Sequence, residues 1–312
     1  MHHAATLSLL IAPLLLCSVT HGQEPGESQQ DETPQVGPLQ LRLGAGYQHQ
    51  FKTDIDADSR YRVDRFGLNV GLDLPVHQQL TFAVDFGYQH DAYRFSGDTG
   101  FSGGDAWGDV NTLTLRAGAS YWINERWQIF GGPYIRFSGE EGANFNDSIT
   151  VGGAFGVNHV VREGLVLGLG LGIGSQIEDS AAFFPIAVVR WSIDEQWSLQ
   201  TIGGFGAAGG GGIELAYALD PAWEVGVGVR YESRRFRLDK DNTAAPRGVG
   251  DERSLPVGLR LSHRPRPDAV VELLGGVNLR PRLTLEDEHG SRIDRETADA
   301  APFVAIRASI AF

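Results

Sequence analysis

The sequence predicts an all-β protein: a transmembrane, antiparallel, up-and-down β-barrel of about fourteen strands, with twelve also possible. Three observations lead to this fold class. Apolar side chains alternate with glycine or polar ones over stretches of about ten residues, the length of a strand that crosses a bilayer. The chain ends inside such a stretch, on Phe312. Downstream of residue 22, no apolar run has the composition of a membrane helix, since the longest uncharged stretch there, 196–213, is rich in glycine.

The alternation is clearest in three segments. Leucine and isoleucine occupy alternate positions of 165–174, with glycine between most of them. Segments 66–74 and 223–231 alternate apolar residues with glycine, asparagine or charged residues. A strand places these two sets on opposite faces, whereas a helix would mix leucine and charge on one face. One apolar face and one polar face are typical of a barrel wall between lipid and a lumen.

Short and long connections alternate along 39–312. The short ones lie near 77–79, 124–126, 162–164, 194–196, 220–222 and 264–268, and the long ones near 52–60, 96–108, 138–147, 176–181, 207–212, 238–252 and 286–298. These connections join fourteen strands, and the glycine-rich 207–212 is the weakest of them, which leaves twelve possible. An even count puts both chain ends on the side of the short turns, which is periplasmic in such barrels.

Tryptophan supports this assignment of sides. Of the 6 tryptophans, only Trp107 lies in a long loop; the others lie within a few residues of a short turn. Indole favours the boundary between hydrocarbon and water, so we expect an interfacial aromatic girdle. Its members would be Trp127, Trp191, Trp197 and Trp223. Trp122 falls on the lumen side of the alternation, and the alternative is that these are ordinary aromatic residues of a sheet.

The N-terminal region differs from the rest. Residues 1–22 carry no Lys, Arg, Asp or Glu and contain a short apolar core, which predicts a cleaved export signal. Residues 23–38 are polar, proline-containing and acidic, which predicts a disordered periplasmic tether before the barrel at 39–312. The only cysteine, Cys17, lies in the signal, so the mature protein has no disulfide. Together these features predict the outer membrane of a Gram-negative bacterium.

The chain is acidic, with 39 Asp and Glu against 26 Lys and Arg. Its net charge of −13 argues against nucleic acid as a partner. The acidity is concentrated in the tether and the long loops, and the strands are slightly basic. We therefore expect the lipid bilayer and lipopolysaccharide as partners; the sequence does not specify an oligomeric state.

Charged residues on the inner-facing positions of the strands predict a charged lumen. The lumen and solute candidates are Arg65, Arg116, Arg136, Arg190, Arg230, Arg260, Arg280, Arg307, Glu224 and Glu272, with Asp73, Asp85, Glu214 and Glu232 on the same face. They predict a passive, porin-like pore for small polar or anionic solutes. The alternative is a structural or surface-interaction barrel, whose lumen is plugged because these residues pair with one another. Glycine on the inner face of 165–174 leaves space, which favours the pore.

Arginine is densest at the predicted outer mouth, where Arg234, Arg235 and Arg237 precede a polar loop. Guanidinium groups there can bind the phosphate or carboxylate of a solute or of lipopolysaccharide. The alternative, which we favour, is an ion-paired structural loop. Its carboxylate partners would be Asp239, Asp241, Asp251 and Glu252.

The sequence offers little for catalysis. The best acid–base pair is His90 with Asp91, near Ser96, and it is the basis of the weakest alternative, an outer-membrane hydrolase. Adjacent strand residues point to opposite faces, so these two side chains would not meet. The alternate aspartates of 54–58 lack the remaining ligands of a calcium loop. We therefore expect no enzyme, no metal and no cofactor.

Two sets of residues resemble known families. The last ten residues, 303–312, resemble the terminal strand of outer-membrane barrels, which implies that the barrel-assembly machinery recognises Phe312. The Arg-Arg-Phe-Arg-Leu run at 234–238, the Gly-Val-Gly and Ser-Leu-Pro-Val segments after it, and 285–287 resemble an uncharacterised family of bacterial outer-membrane β-barrel proteins, a domain of unknown function. This likeness covers most of 39–312 and implies the barrel fold; it assigns no catalytic or ligand-binding residue.

Overall fold

A computed structural model shows a closed antiparallel β-barrel of fourteen strands, which confirms the predicted fold class and the higher of the two strand counts. The structure describes residues 37–55, 59–97, 101, 105–203 and 210–312. The predicted export signal at 1–22 and most of the predicted tether at 23–38 lie outside these residues. So do positions 56–58 and the first half of the connection at 207–212.

The sheet consists of sixteen strand segments. They are β1 Gln40–Asp54, β2 Arg60–His77, β3 Leu80–Ser96, β4 Asp109–Asn124, β5 Trp127–Glu140, β6 Ile149–Arg162, β7 Leu165–Gln176, β8 Asp179–Ser192, β9 Trp197–Gly203, β10 Gly211–Ala218, β11 Trp223–Arg230, β12 Glu232–Arg237, β13 Val249–Arg266, β14 Ala269–Glu286, β15 Arg292–Thr297 and β16 Ala301–Ala311. β11 continues into β12 and β15 into β16, so each of these pairs forms one strand and the barrel has fourteen. A 3-10 helix, Asn146–Ser148, precedes β6.

The first and last strands close the barrel. β1 and β16 form an antiparallel ladder that reaches Gln50 opposite Phe303 at its outer end. At the other end, Leu41 and Phe312 exchange backbone hydrogen bonds of 3.1 and 2.8 Å, so the chain is paired up to its last residue. Hydrocarbon offers no partner for backbone N–H and C=O groups. Closure between β1 and β16 therefore leaves no open strand edge at this seam.

The alternation places side chains on the two faces as the sequence predicts. On β7, Leu167, Leu169 and Leu171 are exposed, while the glycines between them face inward. Similar rows of exposed valine, leucine, isoleucine and phenylalanine run along the neighbouring strands. A continuous apolar belt of this extent is the surface that lipid covers in a membrane barrel.

The described connections lie at the predicted ends of the barrel, but strands extend into several of those expected to be long. Short turns lie at one end of the barrel, for instance between β2 and β3 and between β13 and β14. The expected long connection near 176–181 is instead a two-residue turn, because β7 and β8 pair out to Gln176 opposite Asp179. Glu178, the second residue of this turn, adopts a φ of 48°, in the left-handed region.

Part of the sheet leaves the wall at the outer end and enters the lumen. Register shifts or breaks occur at one level in neighbouring strands: at Tyr231, between Arg253 and Leu255, at Arg280 and at 298–300. Such irregularities bend a sheet. Beyond them, β12 pairs with the first part of β13, which pairs with the last part of β14. We call these three outer portions (β12, 249–254 and 282–286) the inner sheet.

The inner sheet crosses the barrel. Most residues of β12 and of 249–254 are buried, on both faces of the sheet. Arg237, near the end of β12, forms a parallel bridge with Gly139 of β5, which belongs to the opposite side of the wall. The inner sheet therefore spans the lumen from the β11–β14 side to β5.

An apolar cluster, which we call the outer core, fills the space around the inner sheet. Its buried members are Ile55, Tyr61, Val63, Tyr93, Phe101, Ala106, Trp107, Val110, Phe236, Leu238, Ala245, Leu283, Leu285 and Ala298. Trp107 makes edge-to-face contacts with Phe236 and Phe101, at ring-centroid distances of 5.3 and 5.5 Å. This explains why Trp107 is the tryptophan far from the short turns: it packs inside the lumen. Aromatic burial of this kind stabilises the filled outer end.

Replacing Leu169 with arginine tests the lipid-facing assignment. Leu169 is 71% exposed in the middle of β7, and Ile293 is 53% exposed on β15, beyond the outer end of the wall. We expect Leu169→Arg to lower the free energy of unfolding by about 2–4 kcal/mol, because it places a guanidinium in hydrocarbon. Ile293→Arg should change it by less than about 1 kcal/mol. Urea titration of protein folded in lipid vesicles measures both; equal small effects would show that Leu169 does not face lipid.

Candidate functional site

The lumen is the candidate site, and all but one of the predicted lumen residues lie on its wall. The residues at inward positions, which alternate with the outward apolar residues of their strands, are Arg65, Arg116, Arg136, Arg190, Arg230, Arg260, Arg307, Glu224 and Glu272. Arg280 is the exception. It is exposed, with a φ of 47°, at the irregularity of β14, where the strict alternation assumed from the sequence is interrupted.

A buried group of ion pairs, which we call the outer network, joins the inner sheet to the surrounding wall. It consists of Arg65, Asp91, Arg230, Glu232, Arg234 and Glu252. Glu252 accepts hydrogen bonds from Arg65 Nη2 at 2.5 Å and from the Tyr93 hydroxyl at 2.6 Å. These contacts tie the inner sheet to β2 and β3 across the lumen. Charges this far from water need partners, and here each one has an opposite charge within 4.0 Å, although Arg65 Nη1 and Arg234 Nε make no hydrogen bond.

The arginines predicted at the outer mouth are buried in the inner sheet. Arg234 belongs to the outer network. Arg235 donates from Nε to the carbonyl of Ile177 at 2.8 Å and pairs with Glu286 through Nη2. Arg237 pairs with Glu178 in the turn between β7 and β8. All three therefore hold the inner sheet in place, because their guanidinium groups bind the surrounding wall and turns.

The carboxylates expected to pair with this cluster do so only in part. Glu252 lies 3.7 Å from Arg234, and Asp251 lies 3.9 Å from Arg235. Asp241 pairs instead with Lys240 at 3.6 Å, and the other ion pairs of the cluster go to Asp91, Glu178, Glu232 and Glu286. Glu232 lies on β12 itself, two residues before Arg234. The other three lie on distant strands or turns, so no local pattern in the sequence shows them.

A second group of ion pairs, the lower network, lies nearer the short turns. Arg260 Nη2 contacts Glu214 and Glu224, both at 2.6 Å, and Nη1 lies 3.3 Å from Glu272. Arg307 lies 3.9 Å from the same Glu272. One guanidinium thus contacts carboxylates from three strands, on the side of the lumen formed by β10, β11, β13 and β14.

Sequence reasoning missed one lumen arginine, Arg42. Its Nε lies 2.8 Å from Asp73 and its Nη2 lies 3.2 Å from Asp85. Arg42 shares the inward positions of β1 with Gly44 and Gly46, and this alternation was the signal that could have found it.

Arg116 and Arg136 stand apart from these groups. Among the residues that the structure describes, neither has a carboxylate within 4.0 Å. Arg116 Nη2 and Arg136 Nε are buried without a hydrogen-bond partner. Asp85 lies opposite Arg116 in the ladder between β3 and β4, but it is engaged by Arg42. The lumen therefore carries two guanidinium groups that have no carboxylate of a described residue within 4.0 Å.

A cavity of about 100 Å³ adjoins these two arginines, between the β4–β8 wall and β12. Its polar lining includes Arg116, Arg136, Arg235, Tyr134, Thr150 and Ser233, and its apolar lining includes Ile177, Ala182 and Phe184. A second cavity, of about 150 Å³, lies near the short-turn end between β1, β2, β14 and β16, and includes Asn69, Glu272 and Arg307. Both open spaces are therefore lined partly by charge.

Aromatic rings occupy part of the space above the inward glycines. A Cβ atom on Gly174 would lie 2.1 Å from the Tyr134 hydroxyl, and one on Gly172 would lie 2.0 Å from the Phe184 ring. The sequence predicted open space over these glycines, and the structure fills some of it with rings from neighbouring strands. Tyr134 and Phe184 were not recognised as lumen residues, because the glycine pattern of β7 does not reveal what lies opposite it.

The predicted girdle residues lie at the short-turn end of the barrel. Trp127, Trp197 and Trp223 are exposed on the outer face, and Trp191 is half-buried. Trp127 stacks on His159 and Trp223 stacks on His263, both at 4.1 Å between ring centroids. Their level and orientation are those of an interfacial belt.

The structure separates the proposed acid–base pair. His90 faces outward, with Nδ1 3.1 Å from the Asn111 amide oxygen and Nε2 3.7 Å from Asp109. Asp91 faces inward, 3.7 Å from Arg65. The alternation of the strand thus places them on opposite faces, as expected.

Across the described part of the chain, no three His, Cys, Asp or Glu side chains are grouped so that they could hold a metal ion. A search of the same residues finds no helix with the length and apolarity needed to cross a membrane.

No protein-family model and no curated protein sequence matches this chain. Solved structures do match its fold. An outer membrane channel from Pseudomonas putida F1 is 14% identical, with a TM-score of 0.52 over 92% of this chain and 100% of that one. A Pseudomonas aeruginosa FadL homologue is 11% identical, with a TM-score of 0.47 over 87% and 89%. The P. putida toluene transporter TodX is 11% identical, with a TM-score of 0.43 over 88% and 90%. At 14% identity, the likeness to the P. putida channel shows that the two share the fold.

Neutralising Glu252 tests the outer network. We expect Glu252→Gln to lower the free energy of unfolding by about 3–5 kcal/mol, because Arg65 and Arg234 would keep buried charges without this partner. Asp54→Asn is the matched control, since Asp54 and Arg60 form an exposed pair that should contribute less than about 1 kcal/mol. Urea titration in vesicles measures both. The double variant Arg65→Met/Glu252→Leu should recover part of the loss, and similar small losses for E252Q and D54N would show that the network is solvated.

Proposed function

We propose that the chain is exported through a cleaved signal at 1–22 and acts in the outer membrane as a passive channel for small polar or anionic solutes. The closed barrel with its exposed apolar belt supports a membrane location. The belt would contact the bilayer, the acidic outer loops would face lipopolysaccharide, and the barrel-assembly machinery would recognise the strand that ends at Phe312.

One observation carries the choice of solute: Arg116 and Arg136 line an open cavity in the lumen without a described carboxylate at contact distance. Positive side chains along a pore favour anions over cations. In a lumen that is merely filled, every charge should be paired within the protein, as the outer and lower networks are. The unpaired arginines depart from that arrangement.

Two further points support a transport role over an enzymatic one. The P. putida protein that shares this fold is described as an outer membrane channel. The only acid–base pair suggested by the sequence, His90 with Asp91, is divided between the two faces of β3. We therefore propose no catalytic role.

Reconstitution into planar lipid bilayers tests the channel. We expect discrete conductance steps, and a reversal potential in a potassium chloride gradient that shows a preference for chloride, because the lumen holds unpaired guanidinium groups. Replacing loop 238–248 with a short Gly-Ser linker removes Leu238 and Ala245 from the outer core, and should increase the step size. Heat-denatured protein is the control. Folded protein that gives no steps in either form would reject the channel.

The filled outer end favours a second candidate, a structural or surface-interaction barrel with a closed lumen. The outer core and the outer network together occupy the lumen below the long loops. This candidate predicts no conductance from the wild type or from the linker variant. It also predicts that variants with shortened outer loops fold normally, as judged by heat-modifiable gel mobility, but lose a surface-binding phenotype.

A further inference from the structure

We propose that the cavity between the β4–β8 wall and β12 binds an organic carboxylate with a small apolar or aromatic body. Its carboxylate would be held by Arg116 and Arg136. This inference rests on the proposed function and deepens it, because it names the class of anion and the place where the lumen binds it.

The geometry of the two arginines favours a shared ligand. In the ladder between β4 and β5, Arg116 lies opposite Tyr134, and Arg136 lies opposite Thr114. The two arginines are therefore diagonal neighbours on the inner face of adjacent strands, about 7–8 Å apart at the backbone. Both side chains line the same cavity. At that spacing, two flexible guanidinium groups can reach one carboxylate.

The missing counter-ion is the strongest sign of a ligand. Arg116 Nη2 and Arg136 Nε are buried without a hydrogen-bond partner. Burying an unpaired cation is unfavourable, and protein interiors normally supply a carboxylate for it. The chain supplies one to Arg260 in the lower network and to Arg65 in the outer network. Beside Arg116 and Arg136 there is open space instead, so the carboxylate would come from the ligand.

The cavity also has an apolar side, formed by Ile177, Ala182 and Phe184. A bare inorganic anion would leave this surface uncovered. The cavity has a volume of about 100 Å³, whereas one water molecule needs roughly 10–15 Å³, so there is room for more than one bare oxyanion. Cations beside an apolar wall therefore favour a molecule with a carboxylate at one end and an apolar body at the other.

The glycines of β6 and β7 shape the cavity. A Cβ atom on Gly152 or Gly174 would overlap the Tyr134 side chain, at 2.6 and 2.1 Å from its hydroxyl oxygen. Without those Cβ atoms, the ring can lie across both strands, with Arg136 Cζ 5.9 Å from its centroid. Tyr134 thus forms a wall of the cavity beside Arg136, and its hydroxyl is available as a further donor.

Isothermal titration of the folded mature chain in detergent tests this site with four probes. Benzoate combines a carboxylate with a ring, benzyl alcohol keeps the ring without the charge, acetate keeps the carboxylate without the ring, and inorganic phosphate is an anion without carbon. We expect benzoate to bind most tightly, acetate more weakly, and benzyl alcohol and phosphate not measurably.

Substitutions show which residues contact the bound benzoate. Arg116→Met and Arg136→Met should each weaken benzoate binding by about tenfold or more, because each removes a charge-assisted hydrogen bond. Arg126→Met, in the exposed turn between β4 and β5, is the matched control and should bind benzoate as the wild type does. Phe184→Ala should weaken benzoate binding and leave acetate binding unchanged.

A stability measurement separates binding from a structural role. Because no described carboxylate pairs with Arg116 or Arg136, R116M and R136M should keep or raise the urea midpoint of the free protein. A lower midpoint, with benzoate binding unchanged, would assign the arginines to structure and overturn the site. Equal binding of benzoate and benzyl alcohol, or phosphate bound more tightly than benzoate, would also overturn it.

The same experiments distinguish failure of the site from failure of the channel. Arginine-dependent benzoate binding without conductance would leave the site in place and reject the channel. Conductance without benzoate binding would leave the channel in place and reject the site.

Discussion

The structure depends on one constraint: a backbone in hydrocarbon must satisfy its own hydrogen bonds. A sheet meets this condition only when its edges are joined, and here the joint is the ladder between β1 and β16, which extends to Leu41 and Phe312. Closure also determines which kinds of side chain each strand must carry. Every strand then has one face toward lipid and one toward the lumen, so apolar and polar residues must alternate.

The interior follows a different rule, because its residues face one another and not lipid. Charges are permitted there, but low exposure to water makes each of them dependent on a partner. This explains why Glu252 of the inner sheet contacts both Arg65 and Tyr93 of the opposite wall. It also explains why Arg116 and Arg136 are informative: in an interior where pairing is the rule, an unpaired cation beside open space needs a separate explanation.

The sequence could predict the outer face of the barrel and little of its interior. Alternation with a period of two is a local signal, so the strands, their number and the outward orientation of Trp127 and Trp223 follow from neighbouring residues. Arg65 and Glu252 are 187 positions apart, and the bridge between Arg237 and Gly139 joins opposite walls. No local pattern encodes such contacts. Arg280 shows the same limit. Strict alternation along β14 predicts that it faces the lumen, but one irregularity in that strand leaves it exposed.

The inner sheet also decides where any solute could pass. It arises from the β11–β14 side and reaches β5, so it covers the side of the lumen that holds the lower network. The described cavity with unpaired arginines lies along its free side, between β12 and the β4–β8 wall. In the channel proposed above, a passage along this side would run beside Arg116 and Arg136. A filled outer end and the proposed anion preference are therefore compatible, because the inner sheet leaves open space beside Arg116 and Arg136.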